Sequence, residues 1–297
     1  MKILTVHHAT NYRYREPVTF GEHRLLIRPR DSHDLRLLRS ELIISPAGTV
    51  RWLHDVFGNS VAIVDFAEPA AQLTVTSNLT LERYALERPV FPVTAEAATY
   101  PFVYSSNDRT DLGRLLEQHY PDPAGVVNAW AQEFAPEKGI DTIALLASMN
   151  AAIKRDFAYA ARDSEGTQSP VETLERRAGT CRDFALLLIE AVRCLGFGAR
   201  FVTGYLYDPK LEGAGADAMQ GSAATHAWAD IYLPGAGWVE YDPTNGLIAG
   251  ENLIRVAVTR DPLQAIPVDG TFAGDPESFI SMDVEVTVTS GSQLKAA

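Results

Sequence analysis

An amphipathic segment that begins at Cys181 sets the tightest limit on the architecture of this chain. Thr180 and Asp183 have the spacing of a capping box, and Gly196 stands where a left-handed residue would end a helix. Apolar residues recur between them at helical spacing: Phe184, Leu187, Leu188, Ala191, Val192 and Leu195. The pattern predicts a helix that buries this stripe in a core, with Cys181 in its first turn on the same side.

Two interpretations of Cys181 are open. A thiol at the start of a helix lies at the positive end of the helix dipole, which favours the nucleophilic thiolate. Free cysteine is also among the most buried residue types and commonly acts as a small hydrophobe, which is the role expected for Cys194 near the helix end. Two segments further along the chain favour the nucleophile.

A histidine and an aspartate follow on two predicted strands. His226 begins the alternating segment 226–233, where it shares a face with Trp228, and an imidazole there could take the proton of a cysteine. Asp242 ends the strand 238–242 and could orient that imidazole and fix its tautomer. Simpler roles exist for both, because a single strand histidine is more often structural and an aspartate before a proline is a common strand end.

The turn between these two strands decides whether the side chains can meet. Side chains alternate along a strand, so a four-residue turn would point Asp242 to the opposite face of the sheet from His226. A three- or five-residue loop, or a bulge, would place Asp242 opposite Trp228 and on the same face as His226. We therefore predict such a loop or bulge within 232–238, with one ring nitrogen of His226 bonded to Asp242 and the other facing the Cys181 sulfur.

These segments together resemble the transglutaminase-like superfamily of bacterial and archaeal proteins, whose members share a papain-like order of Cys, His and Asp. The resemblance covers about residues 145–250. Four segments carry it: 179–185, 199–205, 226–228 and 238–245. It implies that Cys181 is the nucleophile, His226 the general base and acid, and Asp242 the orienting carboxylate. The N-terminal region also resembles the β-rich extension that precedes this core in many bacterial members.

The resemblance implies a cysteine enzyme that acts on the amide bonds of a protein or peptide substrate. Cys181 would form a thioester with the acyl group, and an amine or water would resolve it, giving transfer or hydrolysis. We expect Trp228 and Tyr159 to contact the substrate, although an aromatic pair such as Phe157 and Tyr159 is also common in cores. A peptidase or amidase activity alone, a catalytically idle peptide-binding module and a structural adaptor remain as alternatives. The oligomeric state is not indicated.

Composition restricts the partners. The formal charge of −12 and the pI near 5.0 argue against nucleic acid or an anionic membrane as the main partner. The two cysteines are too few for a disulfide framework, and no Cys or His cluster has metal-ligand spacing, so we expect neither a metal nor a cofactor. Residues 2–8 lack the apolar core of a signal peptide and no apolar run could span a membrane, so we expect a cytoplasmic protein.

The chain is long enough for two domains. Residues 1–88 form a predicted β-rich module, residues 98–262 the transglutaminase-like catalytic core, and residues 263–297 a C-terminal extension with a last strand at 282–289. The expected fold class is α+β: a papain-like helical lobe, which carries the cysteine helix, packs on an antiparallel sheet after the β-rich module.

Local signals place the elements within these parts. The predicted strands of the first module are 3–9, 24–28, 35–44, 61–66 and 73–81. Three further helix starts are predicted from capping residues, at Asp122 before a proline, at Asp141, and at Ser169 before a proline.

Overall fold

A computed structural model describes residues 2–84, 89–161, 166–209, 219, 224–250 and 252–291. Within them the chain has an α+β fold built on a seven-stranded sheet and a five-stranded sheet, and the helices gather on the second. The fold class therefore agrees with the prediction.

Five strands at the start of the chain begin the first sheet: β1 (Lys2–Arg28), β2 (Leu35–Ser45), β3 (Gly48–His54), β4 (Ser60–Phe66) and β5 (Ala70–Arg83). They are paired in the order β2-β5-β1-β4-β3. The predicted strands 3–9 and 24–28 are two ends of the one strand β1, whose partner changes from β5 to β4 beyond the register shift between Arg13 and Val18. Strand β3 was not predicted, because nearly all its residues are exposed and show no buried-and-exposed alternation.

The second module packs helices on an antiparallel sheet. Its helices are α1 (Ser106–Leu112), α2 (Val126–Gln132), α3 (Thr142–Asp156), α4 (Pro170–Arg176) and α5 (Cys181–Cys194). Its strands are β6 (Thr99–Tyr100), β7 (Ile140–Asp141), β8 (Ala158–Tyr159), β9 (Ala178–Gly179), β10 (Ala199–Leu206), β11 (His226–Leu233), β12 (Gly237–Asp242), β13 (Leu247–Ile248) and β14 (Leu253–Thr259). The central sheet has the order β13-β12-β11-β10-β14.

Helix α5 lies against strands β10 and β11 and is the predicted cysteine helix. Its apolar stripe, including Phe184, Leu187 and Leu188, is buried in the main core of this module. Gly196 follows the helix with a φ of 87°, the left-handed conformation predicted for the residue that ends it. The core therefore fixes α5 on the sheet that carries His226.

Two of the three predicted helix starts are confirmed. The Asp141 carboxylate accepts a hydrogen bond of 2.8 Å from the Ala144 N–H at the start of α3. The Ser169 hydroxyl accepts one of 3.1 Å from the Glu172 N–H at the start of α4. Such bonds satisfy backbone donors that a helix leaves free at its N-terminus, which is why short sequence patterns predict them.

The prediction of Asp122 as an N-cap is wrong. Helix α2 begins later, at Val126, and its N-cap residue is Gly125 in the left-handed conformation. The Asp122 carboxylate nevertheless accepts hydrogen bonds from the N–H groups of Val126 and Val127, at 2.8 and 3.0 Å. The carboxylate thus satisfies the same free donors from a turn that precedes the helix.

The C-terminal part of the chain returns to the first sheet. Strands β15 (Val268–Ala273) and β16 (Phe279–Gly291) both pair with β1, and the predicted last strand 282–289 lies inside β16. The C-terminal extension therefore completes the N-terminal sheet.

The two modules share a buried interface. Side chains of β1, β5 and β16 pack on Tyr205 and Ile254 of the second sheet. The side-chain amide of Asn59 donates to the Val258 carbonyl at 2.7 Å and accepts from the Val258 N–H at 2.9 Å. Asn59 thus pairs with β14 as a neighbouring strand would, and it ties the first module to the sheet of the second.

Candidate active site

A buried carboxylate holds the chain around Cys181. Asp183 is fully buried, and its Oδ2 accepts hydrogen bonds from the Thr180 N–H at 2.7 Å and the Thr180 hydroxyl at 2.9 Å. Gln168 donates to the same carboxylate through its backbone N–H at 2.7 Å and its side-chain amide at 3.2 Å. Cys181, 6% exposed, therefore lies at the start of α5 on a turn fixed from both sides.

The predicted contact between His226 and Asp242 is present. His226 Nε2 lies 2.8 Å from Asp242 Oδ2, and both side chains are fully buried. Leu233 pairs with Gly237, so the connecting loop has three residues, and this register places Asp242 opposite Trp228. The prediction of an odd-numbered loop and a shared face is confirmed.

Asn245 is a polar residue of the site to which the sequence assigned no role. Its Nδ2 donates to Asp242 Oδ2 at 2.9 Å and lies 3.5 Å from His226 Nε2. Asp242 Oδ1 accepts from the backbone N–H groups of Thr244 and Asn245, at 3.0 and 3.3 Å. An aspartate that bonds the backbone two residues on forms an Asx turn, and an aspartate-proline pair followed by polar residues is its sequence signal.

His226 and Asp242 each stabilise the charged form of the other. Burial opposes a charged ring at His226, but the Asp242 carboxylate and Cys181 outweigh burial and raise the pKa of His226 to about 10. Burial alone would raise the pKa of Asp242, yet the charge of His226 and the hydrogen bonds from His226 and Asn245 lower it. At neutral pH the site therefore holds an imidazolium beside a carboxylate.

The second ring nitrogen of His226 is the one left for the cysteine. Nδ1 is buried and makes no aligned hydrogen bond to any residue in the described part of the chain. Cys181 is close enough to help raise the pKa of the ring. Hydrogen bonds between catalytic groups are often long or misaligned without substrate and shorten when it binds. The arrangement therefore leaves His226 Nδ1 available to the Cys181 sulfur.

Tyr159 lies beside the cysteine. It pairs with Gly179 through the parallel strands β8 and β9, and its side chain is 37% exposed. Burial, with the charges of Cys181 and Asp183, raises the pKa of Tyr159 to about 12. Its upstream neighbour Phe157 is buried in the core. Of this aromatic pair, only Tyr159 reaches the surface near Cys181.

The expectation that Trp228 contacts the substrate is wrong. Its side chain is fully buried, in an apolar cluster with Val202 and Leu206. The ring lies over Gly204 of β10, where a Cβ would be 2.7 Å from Trp228 Cη2. Its ring centroid is 6.1 Å from that of His226. Trp228 therefore supports the histidine from within the core.

Arg182, the residue after Cys181, brings a half-buried positive charge close to the site. Its guanidinium donates to the Pro262 carbonyl at 2.5 Å and lies 5.0 Å from the centroid of the Phe201 ring. Burial lowers the pKa of Arg182, and the charge of Cys181 is the largest effect that opposes this. No sequence pattern indicates this charge beside the site, because the partners of Arg182 come from distant segments.

Two features are absent from the described part of the chain. No helix there is long and apolar enough to cross a membrane. Nor do His, Cys, Asp or Glu side chains come together there in groups of three or more that could hold a metal ion.

Comparison with known proteins assigns both modules. Residues 4–82 match the bacterial transglutaminase-like N-terminal region, and residues 128–243 match the transglutaminase-like superfamily. Uncharacterized protein Mb2599c of Mycobacterium bovis is 30% identical over 98% of this chain and 94% of its own length. Uncharacterized protein ML0607 of Mycobacterium leprae is 30% identical over 96% of this chain and 98% of its own length.

A solved structure shares the fold. It is a protein of Cytophaga hutchinsonii, provisionally described as a cysteine protease, and it superposes with a TM-score of 0.72 at 19% identity, covering 98% of this chain and 91% of that one. The fold, the family matches and the grouping of Cys181, His226 and Asp242 support a cysteine-based enzyme in general terms. The chain belongs to the transglutaminase-like superfamily and carries the N-terminal region of its bacterial members.

Proposed function

We propose that this protein acts on amide bonds of protein or peptide substrates through a thioester acyl-enzyme. The observation that carries the proposal is the contact between His226 and Asp242, whose side chains are fully buried and lie 2.8 Å apart. The second ring nitrogen of His226 has no aligned hydrogen-bond partner among the described residues and is left for Cys181. A buried imidazolium with a carboxylate on one side and a thiol on the other has the layout of a nucleophile, a base and an orienting group.

The first half-reaction forms the thioester. The Cys181 thiolate attacks the amide carbonyl carbon, and the carbonyl oxygen takes up the negative charge. The backbone N–H of Cys181 is the natural first donor to this oxyanion. When the C–N bond breaks, the His226 imidazolium gives its proton to the departing amine. The products are a free amine and an acyl group on Cys181.

The second half-reaction releases the acyl group. His226, now neutral, takes a proton from an incoming amine or water as that molecule attacks the thioester. The C–S bond breaks and Cys181 leaves as a thiolate, which restores the starting charges. Asp242 keeps the ring oriented and compensates its charge throughout. An amine gives transfer and water gives hydrolysis, so one acyl-enzyme serves both the transglutaminase-like and the peptidase or amidase reaction.

Tyr159 is the residue we assign to substrate contact. Its side chain is partly exposed beside Cys181, and its hydroxyl makes no hydrogen bond to a described residue. A free donor at the edge of the nucleophile's site suits a contact with the polar backbone of a peptide. We also propose that the enzyme works in the cytoplasm, where a nucleophilic thiol is kept reduced.

A peptide-amide library read by mass spectrometry tests the function. The protein is incubated with the library, with and without a small primary amine, beside the Cys181→Ala variant. Peptides that gain the amine show transfer, and peptides that lose an amide to water show hydrolysis. Either change must be absent with the variant. A wild-type protein that alters no peptide under either condition contradicts the proposal.

A further inference from the structure

The first sheet is open along one side, between β2 and β3. These strands lie at opposite ends of the pairing order β2-β5-β1-β4-β3, and neither pairs with a second strand among the residues described. They follow each other in sequence, joined only by Pro46 and Ala47. A strand edge carries N–H and C=O groups that can pair with a further strand. The module therefore presents two free edges on either side of one gap.

A cavity of about 560 Å³ occupies this gap and is lined by both edge strands. Its polar lining comes from Arg28, Ser40, His54 and Ser60. Its apolar lining includes Leu42 of β2 and Trp52 of β3. No carboxylate from the described residues lines the cavity, although the chain has 38 acidic residues against 26 Lys and Arg. The local charge is thus opposite to the charge of the whole protein.

A β-bulge aims Arg28 into the cavity. Leu25 pairs with Ala62, and Arg28 pairs with Ser60. Between these two pairs β1 has two residues and β4 has one, so β1 contains one extra residue. Leu25 and Ala62 face the core between the two halves of the sheet. Without the bulge, the Arg28 side chain would point to the opposite face of the sheet from Leu25. The extra residue puts Arg28 on the same face as Leu25.

The polar groups of the cavity are free to bind. Arg28 makes no ion pair or hydrogen bond with any described residue, and its guanidinium lies 5.6 Å from the centroid of the Trp52 ring. The side chains of Ser40, His54 and Ser60 likewise make no hydrogen bond within the described ranges. A guanidinium and hydroxyl groups together are the donors that a carboxylate prefers.

We propose that this cavity docks an extended segment of a partner protein that carries an acidic side chain. The segment adds as a strand to the free edge of β3, with its backbone paired to that edge. Because side chains alternate along a strand, its acidic side chain enters the cavity at Arg28 while its neighbours point out. The exposed side chains of Trp52 and Leu53, at 47% and 40%, flank it with apolar surface. The site uses no residue of the catalytic grouping.

Fluorescence polarisation with a defined peptide tests the docking. The probe is a labelled peptide of alternating valine and threonine with one central glutamate, and its matched control has glutamine there. The full-length Cys181→Ala variant is used, so that neither peptide is processed. We expect saturable binding of the glutamate peptide and about tenfold weaker binding of the glutamine peptide, because a hydrogen bond to a charged group is lost.

Two variants locate the effect. Arg28→Gln lowers the affinity for the glutamate peptide to that for the glutamine peptide. Arg51→Gln removes a charge from the same edge strand, where Arg51 is paired with Glu22 at 2.5 Å, and leaves both affinities unchanged. Hydrogen exchange of the amides of residues 48–54 becomes slower when the glutamate peptide is bound. Thermal unfolding confirms that both variants are folded.

Four results of these experiments overturn the proposal, and a fifth comes from competition with acetate. They are the absence of saturable binding, equal affinity for the two peptides, unchanged affinity in Arg28→Gln, and unchanged amide exchange in β3. Acetate that displaces the peptide at the peptide's own concentration shows a site for free carboxylates and also overturns strand addition. None of these outcomes depends on catalysis, so the proposed enzyme function stands or falls separately.

Discussion

Asp242 Oδ2 lies 2.8 Å from His226 Nε2 because β12 pairs with β11 across a three-residue loop. A loop one residue longer, without a compensating bulge, would move the carboxylate to the other face of the sheet. The loop thus sets the protonation of the ring as well as its position, since the carboxylate is what outweighs burial at His226.

Replacing Asp242 by Asn lowers the pKa of His226. Burial favours the neutral ring, and the Asp242 carboxylate is the largest of the effects that raise the pKa to about 10. In the wild type the ring keeps its proton until the pH approaches that value, and in Asp242→Asn it loses the proton at lower pH. Titration of the His226 ring resonances by NMR measures the difference. Identical titration in both proteins contradicts the assigned pair.

Cys181 is alkylated before Cys194 at neutral pH. Burial, with the charge of Glu190, raises the pKa of Cys194 to about 11, and Cys194 therefore remains a thiol. Cys181 lies at the start of a helix beside the His226 ring, the setting in which cysteines are reactive, although it is the more buried of the two. Iodoacetamide labelling followed by peptide mapping gives the order. Equal or reversed labelling counts against Cys181 as the nucleophile, and Cys194→Ala serves as the control that keeps the label.

Substitutions at the three site residues lower the catalytic activity to different extents. Cys181→Ala and His226→Ala lower kcat by on the order of 10⁴-fold or more, because the members of such a group act as a unit. Asp242→Asn leaves more activity than either, since Cys181 and His226 both remain and strand β11 still carries the ring. Steady-state kinetics on a substrate found in the library measure this order. Normal turnover by Cys181→Ala excludes the mechanism.

Gly204→Ala destabilises the sheet that carries the histidine. A Cβ at this position would lie 2.1 Å from the Ile254 carbonyl oxygen and 2.7 Å from the Trp228 ring. Overpacking of this kind costs about 1–3 kcal/mol. Gly291→Ala is the matched control, because the nearest atom to its Cβ is Ile3 Cγ2 at 3.8 Å. Urea unfolding measures both, and equal stabilities of the two variants contradict the packing described here.

Local chemistry made part of this molecule predictable. Each capping hydrogen bond joins a side chain to a backbone N–H a few residues away, so a short sequence pattern contains the whole interaction. The accepting side chains are those of Asp141, Ser169 and Asp183, the last paired with Thr180. The contact between His226 and Asp242 followed from strand alternation alone, once the chemistry required the two side chains to meet.

The rest depends on distant segments. The sequence of β1 predicts separate strands, because the strand changes partners beyond the register shift between Arg13 and Val18. Strand β16 pairs with β1 although it lies near the other end of the chain. Trp228 resembles a site residue in sequence, since it shares a face with His226, but the packing of β10 and β14 buries it completely. Arg182 owes its position to the carbonyl of Pro262. No local pattern encodes these contacts.

Trapping the acyl-enzyme tests the central claim most directly. The protein is mixed with an excess of an activated peptide ester, quenched in acid at successive times and weighed intact. We predict a mass increase equal to one acyl group, mapped to the peptide that contains Cys181, absent from Cys181→Ala and lost when a primary amine is added before the quench. Turnover of the ester with the adduct on another residue, or with the adduct retained in Cys181→Ala, would contradict the account.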